Sequence, residues 1–258
     1  MKNKYLFFIY VLILALLLSF APCAAAAPKI NIQEVSENNL HFDASYVYVD
    51  ITFDDIHDLQ VYCGKGTIDE LVKEANAGFA INCIYWNYED LNKYIVFNGE
   101  LIKEFETDSI HDYCIIYDDG TMSIIKADEV KSASQFPGHI WQAWSFGPAL
   151  VHNGIAIDNF DDCFKSDLVD YSHPRSAIGY FGQNHFCFLT VAGRAPGNRG
   201  AYLDEMARFF TLIGCREAYN LDGGGSSHIW YNGREYGEPC EDRAIPEIIY
   251  INKTCLQN

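Results

Sequence analysis

Apolar and polar positions follow two different periods along this chain of 258 residues. Helical spacing comes first: behind the capping box Thr67-Ile68-Asp69-Glu70, residues Leu71, Val72 and Ala75 continue one apolar face, and Gly78 is the expected stop. A strand is expected straight after it, over residues 79–85. The second helical stretch covers residues 202–212, where Leu203, Met206, Ala207 and Phe210 recur at helical intervals and Gly214 closes the run. Elsewhere the runs are short and rich in β-branched and aromatic residues, over 94–97, 113–117, 122–125 and 228–231. Asn98-Gly99, Asp119-Gly120, Asn153-Gly154 and Asn232-Gly233 punctuate them, and such pairs supply the positive φ angles of tight hairpins. Residues 186–191 and 217–221 read as buried strands on either side of the second helix. The elements add up to an α+β fold with mixed and antiparallel sheets, rich in hairpins, with two or three helices and no visible linker or repeat.

Ahead of these elements, Lys2 and Lys4 precede an uncharged run ending in Ala24-Ala25-Ala26-Ala27. This is the pattern of a secretory signal peptide over residues 1–27, or of a signal anchor if it is retained. Residues 28–60 are then an N-terminal strand region and 61–258 the domain that carries the chemistry. The chain has 35 acidic residues against 18 basic ones, a formal charge of −17, and two of the basic residues lie in the leader. Nucleic acid and anionic membrane surfaces are thereby excluded as general partners, and membrane contact is expected only through a retained leader. Arginine is distributed unevenly: Arg175, Arg194, Arg199, Arg208, Arg216, Arg234 and Arg243 are all that the chain contains. Guanidinium groups suit phosphate and carboxylate recognition, although surface ion pairs would use them too. Apart from Cys23 in the leader, eight cysteines remain (Cys63, Cys83, Cys114, Cys163, Cys187, Cys215, Cys240 and Cys255), an even number that predicts disulfides in an exported chain and leaves their pairing open. No Cys-x-x-Cys or His-Glu-x-x-His occurs, which argues against a zinc site of familiar spacing.

Candidate chemistry concentrates in Asn220-Leu221-Asp222-Gly223-Gly224-Gly225-Ser226-Ser227. Consecutive glycines let backbone N–H groups approach an oxygen-rich ligand, and a tight turn between strands would need fewer of them. A nucleotide-binding P-loop needs Lys where Ser226 stands, and a dinucleotide fingerprint needs spaced glycines that open a helix. A serine-hydrolase elbow needs a glycine where His228 stands, leaving a Ser226 nucleophile dependent on a distant His173 or His185. A carboxylate beside an anion-binding nest, with arginines available, fits cleavage of a bond whose leaving group is a phosphate. Such a leaving group is a weak base, so protonating it gains little.

Around this run the chain resembles the phosphodiester glycosidase family. The likeness rests on Asn220 to Ser227, on Ser145-Phe146-Gly147-Pro148 with Asn153-Gly154, and on Pro174-Arg175-Ser176-Ala177-Ile178-Gly179. Gly193-Arg194 with Gly200, Ala80-Ile81-Asn82 with Asn87, and Asp242-Arg243-Ala244-Ile245-Pro246 extend it over about residues 75–251. The resemblance implies a single catalytic domain that hydrolyses the link between a sugar's anomeric carbon and phosphate, as in N-acetylglucosamine-1-phosphodiesters. It implies Asp222, Arg175 and Arg194 as catalytic residues. Arg243, Asn82, Asn220, Gly223, Gly224, Gly225, Ser226 and Ser227 are implied as the phosphate- and substrate-binding set. No cofactor is firmly implied; calcium on Asp222 and Asn220 is the candidate ion. The partner implied is a small or polymeric sugar phosphate, with Tyr85, Trp86, Trp141 and Trp144 as candidate sugar platforms. Two positions depart from the family pattern: Ala192 replaces an aspartate before Gly193-Arg194, and Asn82-Cys83-Ile84-Tyr85-Trp86 replaces a glycine-bearing segment. These departures imply altered substrate choice, or a cell-surface module that binds glycans or phosphoglycans without turnover; a serine ester hydrolase is the third reading.

Overall fold

The computed structural model describes residues 26–37, 39–85, 93–106, 109, 111–160 and 169–257; most of the leader, with Cys23, and Trp86, Asn87 and Cys163 lie outside them. Two strands open the described chain, β1 (Lys29–Val35) and β2 (Tyr46–Thr52), followed by β3 (Gln60–Gly66), helix α1 (Ile68–Glu74) and β4 (Ala77–Asn82). A run of short strands comes next: β5 (Ile95–Phe97), β6 (Glu100–Lys103), β7 (Tyr113–Tyr117), β8 (Met122–Ile125), β9 (Ile140–Trp144), β10 (Ala149–His152) and β11 (Ile155–Ala156). The last third holds β12 (Arg175–Gly182), β13 (His185–Val191), helix α2 (Leu203–Leu212), β14 (Glu217–Asn220), β15 (Ile229–Tyr231), β16 (Arg234–Tyr236) and β17 (Ile245–Asn252).

Both helices carry the signals that predict them. Glu70 N donates to Thr67 Oγ1 while Thr67 N donates to Glu70 Oε2, closing the expected capping box. The stop is Asn76, left-handed at φ 49°, and not Gly78, which lies inside β4. In α2, Tyr202 N donates to Glu205 Oε2 at the start, and Gly214 (φ 92°) follows the end. The Asn-Gly pairs at 98–99, 153–154 and 232–233 have both φ angles positive and join β5 to β6, β10 to β11 and β15 to β16.

Three sheets result, ordered β1-β2-β13-β12-β14-β10-β11, β16-β15-β4-β17-β3 and β6-β5-β9-β7-β8. Every ladder among the described strands is antiparallel. Period-two alternation divides the seven-stranded sheet: Cys187, Leu189 and Val191 of β13 face Met206, Ala207 and Phe210 of α2, whereas Phe186 and Phe188 enter the central core with Phe79, Ile81 and Trp144. Helix α1 covers the far face of the β16-β15-β4-β17-β3 sheet through Ile68, Leu71 and Val72 against Ala80 and Ile248. Region 28–60 is integral to this plan, because β2 pairs with β13 along its whole length. The seven cysteines among the described residues are unbonded, although the sulfurs of Cys187 and Cys215 come within 3.7 Å inside the core. Trp144 is fully buried, which corrects its reading as a sugar platform.

One topological detail positions the site. Strands β13 and β14 both run opposite to β12, which lies between them, so the strand–helix–strand unit read from the sequence is a parallel pair split by one strand. The end of β13, the start of β12 and the end of β14 therefore lie side by side at one end of the central strands. Arg194, Arg175 and Asp222 come from those three places.

Candidate active site

The glycine run leaves β14 and crosses between two sheets. Leu221 N donates to Ser176 O of β12 (2.8 Å), and Asp222 N donates to Cys83 O beyond β4 (2.9 Å). The loop then packs backbone against backbone. A Cβ on Gly223 would lie 2.7 Å from Pro174 O, one on Gly193 2.8 Å from Pro174 N, and one on Gly200 2.6 Å from the His173 carbonyl. Contacts that short exclude any side chain, which is the physical reason for glycine at these positions. Gly224 adds a positive φ of 60°, with the Arg194 guanidinium 3.1 Å from where its Cβ would be.

Most amides of the loop are already committed. Gly223 N donates to Asp222 Oδ1 (2.9 Å), Gly224 N to Pro174 O (2.8 Å), Ser226 N to Gly223 O (3.1 Å) and Ser227 N to Gly224 O (3.2 Å). Among the described residues, only the Gly225 N–H of this run is left without an acceptor. The nest of three glycine amides expected from the sequence is thus a single amide, because Asp222 Oδ1 takes Gly223 N and Pro174 O takes Gly224 N, while a turn of 3-10 helix at residues 224–226 occupies the two serine amides.

Side chains supply what the amides do not. Arg243 donates from Nε (3.1 Å) and Nη2 (2.5 Å) to Ser226 Oγ, and its Nη2 also stands 3.5 Å from Asp222 Oδ2. Arg194, left-handed at φ 62°, lies over Gly224 with Nη2 3.5 Å from His173 Nδ1. The side chains of Arg194 and Arg243 are each nearly half exposed, so both can take an incoming anion. Arg175 is different: it is 4% exposed, its Nε donates to Ala201 O (3.2 Å) and its Nη2 to Tyr171 O (3.4 Å). Burial, together with the charge of Arg194, lowers its pKa to about 10. It braces the site and adds positive charge from behind. Burial also raises the Asp222 carboxyl above the usual carboxylate range, against the opposing effects of Ser226, Arg243 and the Gly223 amide.

The two asparagines hold the loop. Asn82 Nδ2 donates to Asp222 O (2.6 Å), and Asn82 Oδ1 accepts from Ser176 Oγ (2.7 Å) and His228 N (3.3 Å), so this amide has little left for a substrate. Asn220 Nδ2 donates to Gly147 O and Leu221 O, while its Oδ1, like Ser227 Oγ, is buried without a donor among the described residues. Ser227 lines a cavity of about 10 Å³ together with Ala192, Pro174 and Thr190, room for about one water. Among the described residues no three His, Cys, Asp or Glu side chains gather as metal ligands. Asn220 and Asp222 offer two side-chain oxygen donors, and a calcium ion there would need substrate or water for the remainder of its six to eight.

Ser226 Oγ is held by a guanidinium, while His173 faces Arg194 and His185 faces Asp50, so neither imidazole proposed for a serine nucleophile reaches it. The sequence reading missed two features. His228 is buried and presents Nδ1 to Glu235 and Nε2 to Gly225 O (3.1 Å), fixing the peptide after Gly225. Glu241 Oε1 lies 3.5 Å from Arg194 Nη1, and its proximity to Arg243 in sequence was the available clue.

The profile of the phosphodiester glycosidase family matches residues 74–252. An uncharacterized SPbeta prophage-derived protein of Bacillus subtilis, YomE, is 28% identical over 198 residues, covering 73% of this chain and 30% of that protein. The matched region is thus under a third of that relative's length. The catalytic domain of zebrafish N-acetylglucosamine-1-phosphodiester alpha-N-acetylglucosaminidase, in a form auto-inhibited by its pro-peptide, superposes with a TM-score of 0.68 at 18% identity, over 90% of this chain and 85% of that one. A hypothetical protein from Synechocystis gives 0.64 at 13% identity, over 87% and 62%. At these identities the two structures establish likeness of fold.

Proposed function

The chain belongs to the phosphodiester glycosidase family, and from that premise we propose that it is an exported hydrolase cleaving the bond between a sugar's anomeric carbon and phosphate in glycosyl-1-phosphodiesters. The observation that carries this reading is the convergence of Asp222, Ser226 and the Gly225 N–H with two exposed guanidiniums on one loop. In the reaction, the C1–O bond breaks and its electron pair passes to the phosphate oxygen. Arg194, Arg243, Ser226 Oγ and Gly225 N–H take up that charge as it develops, and Arg175 reinforces them from below. Water supplies the new oxygen at C1, and ionised Asp222 takes its proton. The leader read from the sequence supports export.

N-acetylglucosamine-1-phosphodiesters, the substrate class in the name of the zebrafish neighbour, are the first to try, followed by other glycosyl-1-phosphodiesters. Incubation in ¹⁸O-labelled water is expected to release free sugar carrying the label. Label in the phosphate would mean P–O cleavage, and no sugar from any substrate would overturn the reading. The second reading, binding without turnover, is favoured by one observation: Ala192 offers only a methyl group beside the loop. It predicts saturable binding of the same diesters with no product.

A further inference from the structure

Among the described residues, Glu241 is the second carboxylate set against the glycine loop. Its Oε1 lies 3.5 Å from Arg194 Nη1, and its Oε2 packs so close to Gly225 that a Cβ there would be 2.6 Å away. Among the described residues Gly225 carries the single uncommitted amide of the run, and Arg194 is one of the two partly exposed guanidiniums against the loop. The carboxylate is itself half exposed, so it is no buried strut. It is a negative charge held at the rim of the seat that an anion would occupy.

We propose that Glu241 makes this site selective for singly charged phosphodiesters over doubly charged phosphomonoesters. The inference rests on the phosphate-site reading above and adds a basis for choosing between two phosphate classes. Arg175, Arg194 and Arg243 contribute three positive charges, and Asp222 and Glu241 two negative ones. One net positive charge remains. A diester monoanion cancels it, whereas a monoester, whose second proton leaves near pH 6, overshoots by one. At a separation on the order of 5 Å and an effective dielectric between those of protein surface and water, one additional like charge weakens binding by about tenfold. Hydrolysis converts a diester into a monoester, so the same residue favours release of the phosphate product.

The test is binding without turnover, using dimethyl phosphate and methyl phosphate at pH 8 by titration calorimetry on the wild-type protein and on Glu241→Gln. Wild type is expected to bind methyl phosphate no more tightly than dimethyl phosphate. Glu241→Gln should tighten methyl phosphate by about tenfold more than it tightens dimethyl phosphate, and at pH 5, where both ligands are monoanions, this difference should vanish. An unchanged ratio of the two affinities, or an equal gain for both, overturns the inference and leaves the phosphate site standing. Failure of either ester to bind either protein overturns the phosphate site and the inference together. Because Glu241 is exposed, a folding defect should not intervene; a melting curve matching wild type verifies this.

Discussion

Replacing Asn82 by alanine tests whether this side chain holds the loop or touches substrate. The substitution leaves Asp222 O and His228 N, formerly 2.6 and 3.3 Å from the amide, without partners inside the protein, while Ser176 Oγ can rotate to look for another. Each orphaned buried group costs roughly 1–3 kcal/mol, so two of them give about 4 kcal/mol. That is a large part of the 5–15 kcal/mol typical of a folded domain. At about 2–4 °C per kcal/mol for a protein of this size, the midpoint of thermal unfolding should fall by about 8–16 °C. Urea unfolding of wild type and variant, with the slope unchanged and the midpoint lowered, is the assay. Asn82→Asp should be no better, since it turns a second acceptor toward the Asp222 carbonyl and buries charge. Stability within about 1 kcal/mol of wild type, combined with a large rise in KM, would refute the structural role and return Asn82 to the substrate contacts.

Four further outcomes are expected. Asp222→Asn should lower kcat by about 10²–10⁴-fold, the usual range for loss of a general base. Because burial raises the carboxyl in the folded state, the protonated form is favoured there, and its stabilisation fades as pH rises through that raised value; Asp222→Asn should therefore melt above wild type at pH 7 and lose the advantage near pH 3, by calorimetry. Gly224→Ala forces an L-residue to φ 60° beside the Arg194 guanidinium, costing about 1–2 kcal/mol, and should weaken phosphate binding by moving Arg194; unchanged affinity in a competition assay would contradict the placement of that arginine. In oxidising conditions Cys187 and Cys215, whose sulfurs are 3.7 Å apart, should close a bridge across 28 residues worth about 3.5 kcal/mol, detectable as the loss of two titratable thiols.

Local chemistry carried much of the fold. Thr67 with Glu70, the Leu203-to-Phe210 stripe and the Asn-Gly pairs each specify their element through nearest neighbours, which is why they were readable. The Gly182–His185 hairpin lacks such a pair and turns at Asn184 (φ 60°) instead, and the division into three sheets depends on partners distant in sequence. The site was legible by residue type and not by hydrogen bonding. Nothing in Gly223-Gly224-Gly225 announces that Pro174 O and Asp222 Oδ1 take two of its amides, or that Asn82 reaches across to hold the Asp222 carbonyl. Glu241 was hidden for the same reason, since its meaning lies in Arg194 and Gly225 beneath it.

The backbone contacts among Pro174, Gly193, Gly200 and Gly223 leave no layer of side chains to yield between those segments. A glycine run is ordinarily where a chain loosens first. Here the loop has no cushion of rotamers through which to breathe, so opening it requires the surrounding sheets to move as well. The most glycine-dense stretch of the chain should therefore exchange its committed amides as slowly as the sheet strands beside it.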